Sequence, residues 1–383
     1  MFNFAKYSLS KFEEKTMRVG HFILLFTGTA SSTCAIQAEE YDLSVGTVAI
    51  TAMATGLEEP WAVGFLPDGG FLVTLRGGIL RRYDAMGDFV EVSGVPTVFD
   101  DGQGGLLDVL IPRDFEQSGE IFFTIAAQQG RGAGTALVRA RLDGDWLRNV
   151  ETIWEMERGS RGGRHFGSRI VEGRDGMLYV TVGERGDMPS AQDLTRENGS
   201  VIRVMRDGRI PADNPFVDRG GAQPEIWSYG HRNPQGAAMD GAGQLWVVEH
   251  GARGGDEVNR IIRGANYGWP VIAYGSHYTG LPIGEGTAAE GMEQPVHYWD
   301  PSIAPSGATF YEGDQFPGWS GDLFVGSLVF DYIARLDPDT GMSEVEKIAT
   351  PQTGRVRDVR TAPDGSIWFL SVSNSALYRI APR

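Results

Sequence analysis

One phrase recurs along the chain and constrains its fold more than any other feature: a tight aspartate–glycine turn followed at once by a short apolar strand. Four copies are strict. They read Leu66-Pro-Asp-Gly-Gly-Phe-Leu-Val-Thr74, Gly173-Arg-Asp-Gly-Met-Leu-Tyr-Val-Thr181, Asp240-Gly-Ala-Gly-Gln-Leu-Trp-Val-Val248 and Ala362-Pro-Asp-Gly-Ser-Ile-Trp-Phe-Leu370. Two looser copies are Pro112-Arg-Asp-Phe115 before Ile121-Phe-Phe-Thr124, and Glu312-Gly-Asp314 before Asp322-Leu-Phe-Val325. The anchoring aspartates are Asp68, Asp114, Asp175, Asp240, Asp314 and Asp364, about 59 residues apart on average. A unit of that size holds four short strands and cannot bury both faces alone, so it must stack on its neighbours. Radial stacking of four-stranded sheets gives an all-β, six-bladed β-propeller over residues 39–383. A pair of β-sandwiches is the structural alternative, but it leaves six copies of one phrase unexplained. Glycine agrees with a turn-rich chain: 53 of 383 residues, about twice the ~7 % background, with no collagen period.

Charge narrows the partners. The formal net charge is −16. That excludes a generic nucleic-acid binder, which needs a basic surface. The single cysteine, Cys34, excludes an internal disulfide framework and Cys-based metal sites. Lys11, Lys15 and Arg18 precede the apolar run Phe22–Phe26, and small residues follow up to Ala38. This is the layout of a secretory signal cut after Ala38, with Met1 or Met17 as the start, and it predicts a periplasmic or secreted protein. The apolar run is too short for a membrane span of ~20 residues. Removing residues 1–38 takes away four positive and two negative charges and leaves a chain at −18.

The segments between the repeated phrases differ from one another, and loops on a β-scaffold are where binding chemistry is expected. Four are chemically loaded: Asp101-Gly-Gln-Gly-Gly-Leu-Leu107, Gly163-Arg-His-Phe-Gly-Ser-Arg169, Tyr229-Gly-His-Arg-Asn-Pro-Gln-Gly236 and Glu249-His-Gly-Ala-Arg-Gly-Gly-Asp-Glu257. A fifth, Gly354-Arg-Val-Arg-Asp358, places two guanidiniums on one face if the segment is extended. A cluster of arginines in so acidic a chain calls for an anionic ligand such as a polycarboxylate or phosphate.

These motifs carry a resemblance. His165-Phe-Gly-Ser-Arg169, Gly230-His-Arg-Asn-Pro-Gln-Gly236 and Gly255-Asp-Glu-Val-Asn259 leading to Asn266-Tyr-Gly-Trp-Pro270 resemble the soluble quinoprotein aldose sugar dehydrogenases, six-bladed propellers related to soluble glucose dehydrogenase. The likeness runs from Leu57-Glu-Glu-Pro-Trp61 to the C-terminus. It implies pyrroloquinoline quinone (PQQ) and calcium as cofactors. It also implies a small-molecule aldose as substrate, oxidised at C1 to a lactone, and an external electron acceptor. His165 matches the family's general base, a role that suits an imidazole titrating near neutrality. Arg232 and Asn233 match the pair at the quinone's reactive edge, and Gln103 a further polar contact. Arg355 and Arg357 match the partners of the quinone carboxylates, for which guanidinium forks are suited. The carbonyls of Gly251 and Ala252 match the ligands of a cofactor-linked calcium, with Ala252 where relatives often have Pro. Glu257 and the Tyr267 carbonyl match a second, structural calcium.

Two positions depart from the family pattern. Val329, in Gly326-Ser-Leu-Val-Phe330, stands where a lysine usually contacts the quinone. Losing such a charge-assisted contact costs on the order of 1.5–3 kcal/mol. Arg164 stands beside His165 where glucose-specific relatives have an acid. The absence of a strand–GxGxxG–helix unit excludes a nicotinamide carrier. Two alternatives stay open from the residues: a calcium-dependent sugar lactonase, and a non-enzymatic propeller that binds a ligand without tight quinone affinity.

Overall fold

In all four strict copies of the phrase the aspartate side chain builds the turn. Asp68, Asp175, Asp240 and Asp364 each accept, through Oδ1, the N–H two residues on, at 2.9–3.0 Å. A glycine at positive φ then reverses the chain, as at Gly69 (φ 84°) and Gly176 (φ 77°), a conformation an L-side chain resists. Asp114, in a looser copy, instead accepts from Arg206 at 2.7 Å. A buried strand follows each strict turn: Phe71–Leu75, Leu178–Val182 and Ile367–Ser371 are buried throughout, and Leu245–Glu249 at all but Trp246. These strands pack between neighbouring sheets on both faces and therefore read as apolar runs.

A computed structural model describes residues 38–383. Its strands form six antiparallel sheets, five with four strands and one with five, and almost no helix. This is the six-bladed β-propeller that the phrase implied. All six anchoring aspartates fall between the first and second strands of a blade. The first strands are Pro60–Phe65, Leu106–Leu110, Ile170–Glu172, Pro234–Met239, Pro305–Phe310 and Val356–Thr361. The sixth blade is not contiguous. Gly46–Thr55 pairs with the C-terminal strand Ala376–Pro382, and Glu39–Leu43 adds a fifth strand outside it. Ring closure thus joins the two ends of the propeller and removes a sheet edge. The secretory signal lies outside the described residues.

Neighbouring blades are also tied by a repeated side chain. Thr74, Thr124 and Thr181 donate across to carbonyls of Leu107, Ser168 and Pro234 in the next blade, at 2.6–3.0 Å. At the centre, Arg169 lies between Asp108 (3.2 Å) and Asp358 (2.9 Å), and Arg360 reaches the same two carboxylates. Arg169, Asp108 and Asp358 are fully buried. The Arg169 guanidinium also stacks 4.2 Å over Trp61. This ionic plug divides the channel into two mouths. The aspartate turns ring one of them. The other is bounded by the loops that enter the first strands and those that leave the second strands, and every loaded segment of the sequence belongs to it.

Candidate active site

A cavity of about 350 Å³ lies at that second mouth. Its walls include Trp61, Arg76, Gln103, Asn233, Val329, Arg355 and Arg357. The opposite mouth has a larger cavity, about 790 Å³. Size does not decide between them; the cationic groups and the histidine do.

Arg357 makes one side-chain bond, from Nη1 to Gln235 Oε1 at 2.9 Å. Its guanidinium is pushed down to about 9, first by burial and then by Arg169 and Arg355. A desolvated cation among cations favours an anion in the adjoining space. Arg355 lines the same cavity, but the strand begins only at Val356 and Arg355 has a left-handed φ of 46°. The two guanidiniums converge through loop geometry, not through strand alternation alone. Val329 is 55 % exposed on the rim, so no buried ammonium site is left vacant by its side chain. Arg76 brings a third guanidinium to the wall, held by Glu59 at 2.6 Å.

His165 is not itself a wall residue of this cavity, but Gln103, Phe166 and Gly167 beside it are. Its backbone N–H donates to Gln103 Oε1 at 2.7 Å, so Gln103 fixes the loop that carries the imidazole. The ring Nδ1 meets Glu184 Oε2 at 2.5 Å, and Glu184 is nearly fully buried. Burial lowers the His165 pKa, and Arg232 and Arg164 push the same way, while Glu184 opposes them. Arg185 braces the loop: it donates to the Arg164 carbonyl and stacks 3.2 Å from the Phe166 ring centre. Gly183 lets the loop approach, since a Cβ there would collide with the His165 carbonyl.

Glu184 was not singled out from the sequence. It lies 19 residues from His165, at the end of the returning second strand. Comparing blades reveals it: His231 and Glu249, 18 residues apart, occupy a similar place one blade on and pair at 2.7 Å. There the histidine is wholly buried, donating or accepting with Ser228, and the pair is structural. Glu249 also accepts the Arg232 N–H at 2.7 Å.

Arg232 sends Nη1 to the Gly251 and His250 carbonyls, and its buried Nε has no partner. Asn233 lines the main cavity and accepts from Gln235 at 3.1 Å. Gly251, Ala252, Glu257, Tyr267 and Arg232 surround a separate enclosed space of about 20 Å³. The two candidate calcium sets therefore adjoin each other, and neither Gly251 nor Ala252 lines the main cavity itself. Burial, then Glu249 and Asp256, hold the Glu257 carboxyl well above the usual range. A carboxylate of that kind, beside a closed space and with carbonyls near it, suits a small hard cation. Among the described residues no three His, Cys, Asp or Glu side chains gather as a metal site.

Removing the Glu184 charge tests the histidine pair. In the parent the His165 pKa is depressed, so the neutral imidazole persists below its ordinary ~6.5. Glu184→Gln removes the one group that raises this pKa. The acid limb of kcat/KM is expected to move to lower pH while kcat falls. A limb that stays put or moves to higher pH would separate Glu184 from the base.

A family model described as Glucose / Sorbosone dehydrogenase matches residues 57–379. The chain is 43 % identical over 347 residues to the aldose sugar dehydrogenase YliI of Escherichia coli (strain K12), covering 88 % of this chain and 94 % of that protein. It resembles the crystal structure of the soluble aldose sugar dehydrogenase from Escherichia coli in the apo form, with a TM-score of 0.84, 41 % identity and coverage of 88 % and 100 %. It also resembles the PQQ-bound form of the aldose sugar dehydrogenase from Streptomyces coelicolor, with a TM-score of 0.72, 28 % identity and coverage of 91 % and 99 %. The chain belongs to the glucose/sorbosone dehydrogenase family.

Proposed function

We propose that the protein oxidises aldose sugars at C1 to lactones, with PQQ as the immediate acceptor and calcium as its companion ion. The observation that carries this is a histidine–carboxylate pair beside a cavity into which Arg355 and Arg357 converge without a carboxylate partner. PQQ is a tricarboxylate, and the cavity of about 350 Å³ falls in the range of small-molecule sites. Arg355 and Arg357 would hold its carboxylates, with Gln103 and Asn233 as polar wall groups. When bound, the quinone supplies a two-electron acceptor for hydride leaving the sugar C1. His165 takes the C1 hydroxyl proton at Nε2, because Nδ1 is committed to Glu184. Glu184 fixes the ring's tautomer and stabilises the imidazolium that forms. Arg232, close enough to act on the His165 charge, would steady negative charge at the reactive edge.

The Gly251 and Ala252 carbonyls would hold the companion calcium, which would polarise the quinone as a Lewis acid, and Arg232 donates to the Gly251 carbonyl beside it. Glu257 and the Tyr267 carbonyl would hold a second ion in the enclosed space. Glu257→Gln is then expected to lose most of the calcium-dependent stabilisation, which reaches about 2.7 kcal/mol when calcium is 100-fold above its Kd. Melting curves of parent and variant in calcium and in chelator check this; an equal calcium shift in both would discard the site. Export follows from the signal layout of residues 1–38. No helix among the described residues is long and apolar enough to cross a membrane. The test of the cofactor assignment is a PQQ titration of the apo-protein in calcium. Saturable binding in the micromolar range or tighter supports it, and no binding at those concentrations rejects it.

A further inference from the structure

Arg76 lines the cationic cavity with Arg355 and Arg357, yet its guanidinium is committed elsewhere. Nη1 donates to the Gly102 carbonyl at 2.6 Å and to the Gly104 carbonyl at 3.1 Å. Nη2 pairs with Glu59 at 2.6 Å, and Asp100 lies 3.5 Å from Nη1. Arg355 and Arg357 differ: they donate to the Leu328 carbonyl and to Gln235, with no carboxylate. The charge of Arg76 is already met, and its donors already have acceptors.

The two carbonyls it holds flank Gln103. Gln103 in turn grips the next loop at two points. Its backbone N–H donates to the Gly163 carbonyl at 2.7 Å, and its Oε1 accepts the His165 N–H at 2.7 Å. These contacts cross three blades. Arg76 follows the second strand of the first blade, Gln103 stands in the loop entering the second, and His165 in the loop entering the third. Glycine permits the close approach: a Cβ at Gly102 would collide with the Gly163 carbonyl, and one at Gly105 with the Arg76 carbonyl. That Arg76 carbonyl also accepts the Leu106 N–H at 2.9 Å, so main chain and side chain of one residue hold the loop along its length.

The loop needs such a brace. Gly102 and Gly105 both have positive φ, 62° and 137°, and glycine backbone has little preference of its own to keep them there. A planar guanidinium can bond two carbonyls and a carboxylate at once, which a lysine ammonium on a flexible stem does not reproduce. We propose that Arg76 is a positioning residue for the base: it sets the place of His165 through the Gln103 loop, touching neither sugar nor cofactor. The effect on turnover rests on the C1-oxidation reading above, whereas the brace itself is a property of the apo-protein.

The experiment starts with amide hydrogen exchange on the apo forms of the parent, Arg76→Lys and Glu59→Gln. Exchange at the Gln103 and His165 amides is expected to quicken about tenfold in Arg76→Lys and less in Glu59→Gln. The Ile170 amide, held by Asp108 at 2.8 Å, should keep its parent rate. Unchanged exchange at Gln103 and His165, or an equal rise at Ile170, overturns the brace. The Glu59 side chain is largely exposed, so Glu59→Gln decides alone if Arg76→Lys does not fold: an unchanged His165 amide there overturns the proposal. Loaded with PQQ and calcium, Arg76→Lys should lose about 10–100-fold in kcat, the scale of a misplaced reacting group. Its Kd for PQQ should stay within about threefold, because the charge is kept. In a His165→Ala background the same substitution should cost no further turnover, since both act through one group. A further loss there, or weakened PQQ binding with kcat intact, overturns the positioning role. Faster exchange in a protein that oxidises no aldose would uphold the brace and reject the C1-oxidation reading.

Discussion

His165→Ala is expected to lower kcat by about 10²–10⁴-fold, the range that a positioned general base contributes. PQQ affinity should change little. The groups assigned to the quinone carboxylates, Arg355 and Arg357, enter from the sixth blade, whereas His165 enters from the third. The imidazole is held from two sides, by Glu184 on Nδ1 and by Gln103 on its backbone N–H. Alanine keeps the backbone contact and removes only the base. Steady-state turnover on sugar, measured beside a quinone titration, gives both quantities. Turnover that survives the substitution would remove His165 from the chemistry. Loss of quinone binding with turnover per bound cofactor intact would make it a binding residue instead.

The largest stability effect is expected at the ionic plug. Asp108→Ala leaves Arg169 fully buried and takes one of the two carboxylates from both Arg169 and Arg360. Breaking a buried pair from one side costs about 3–5 kcal/mol, because the remaining charge is uncompensated. Asp108 also accepts the backbone N–H of Ile170 at 2.8 Å, so the second and third blades lose a direct tie. The exposed pair of Arg148 and Asp143, 3.6 Å apart, is the control: Asp143→Ala should cost no more than ~1 kcal/mol. Urea unfolding followed at several wavelengths measures both. Equal midpoints for the two variants would show that the plug does not hold the channel together.

The propeller was legible because its signal is local. An aspartate that bonds the N–H two residues on, then a glycine at positive φ, is written within four residues and repeats. Ring closure was not legible, because Gly46–Thr55 finds Ala376–Pro382 across the length of the chain and carries no phrase of its own. The site shows the same division. His165, Arg232 and Asn233 lie in continuous motifs and were read from them. Glu184 reaches His165 only because the antiparallel return from Leu178–Val182 ends beside the loop entering the blade. Arg76 and Trp61 come to the cavity wall through the same topology. Arg355 and Arg357 were paired for a reason that holds only in part, since Arg355 precedes the strand.

Sugar-dependent reduction of a dye by the protein loaded with PQQ and calcium, with the product identified, tests the central claim most directly. Glucose should yield the 1,5-lactone, dye reduction should need both PQQ and calcium, and deuterium at C1 should slow it. Dye reduction that ignores deuterium at C1, or a fully loaded protein that oxidises no aldose, would contradict hydride removal from C1 at this site.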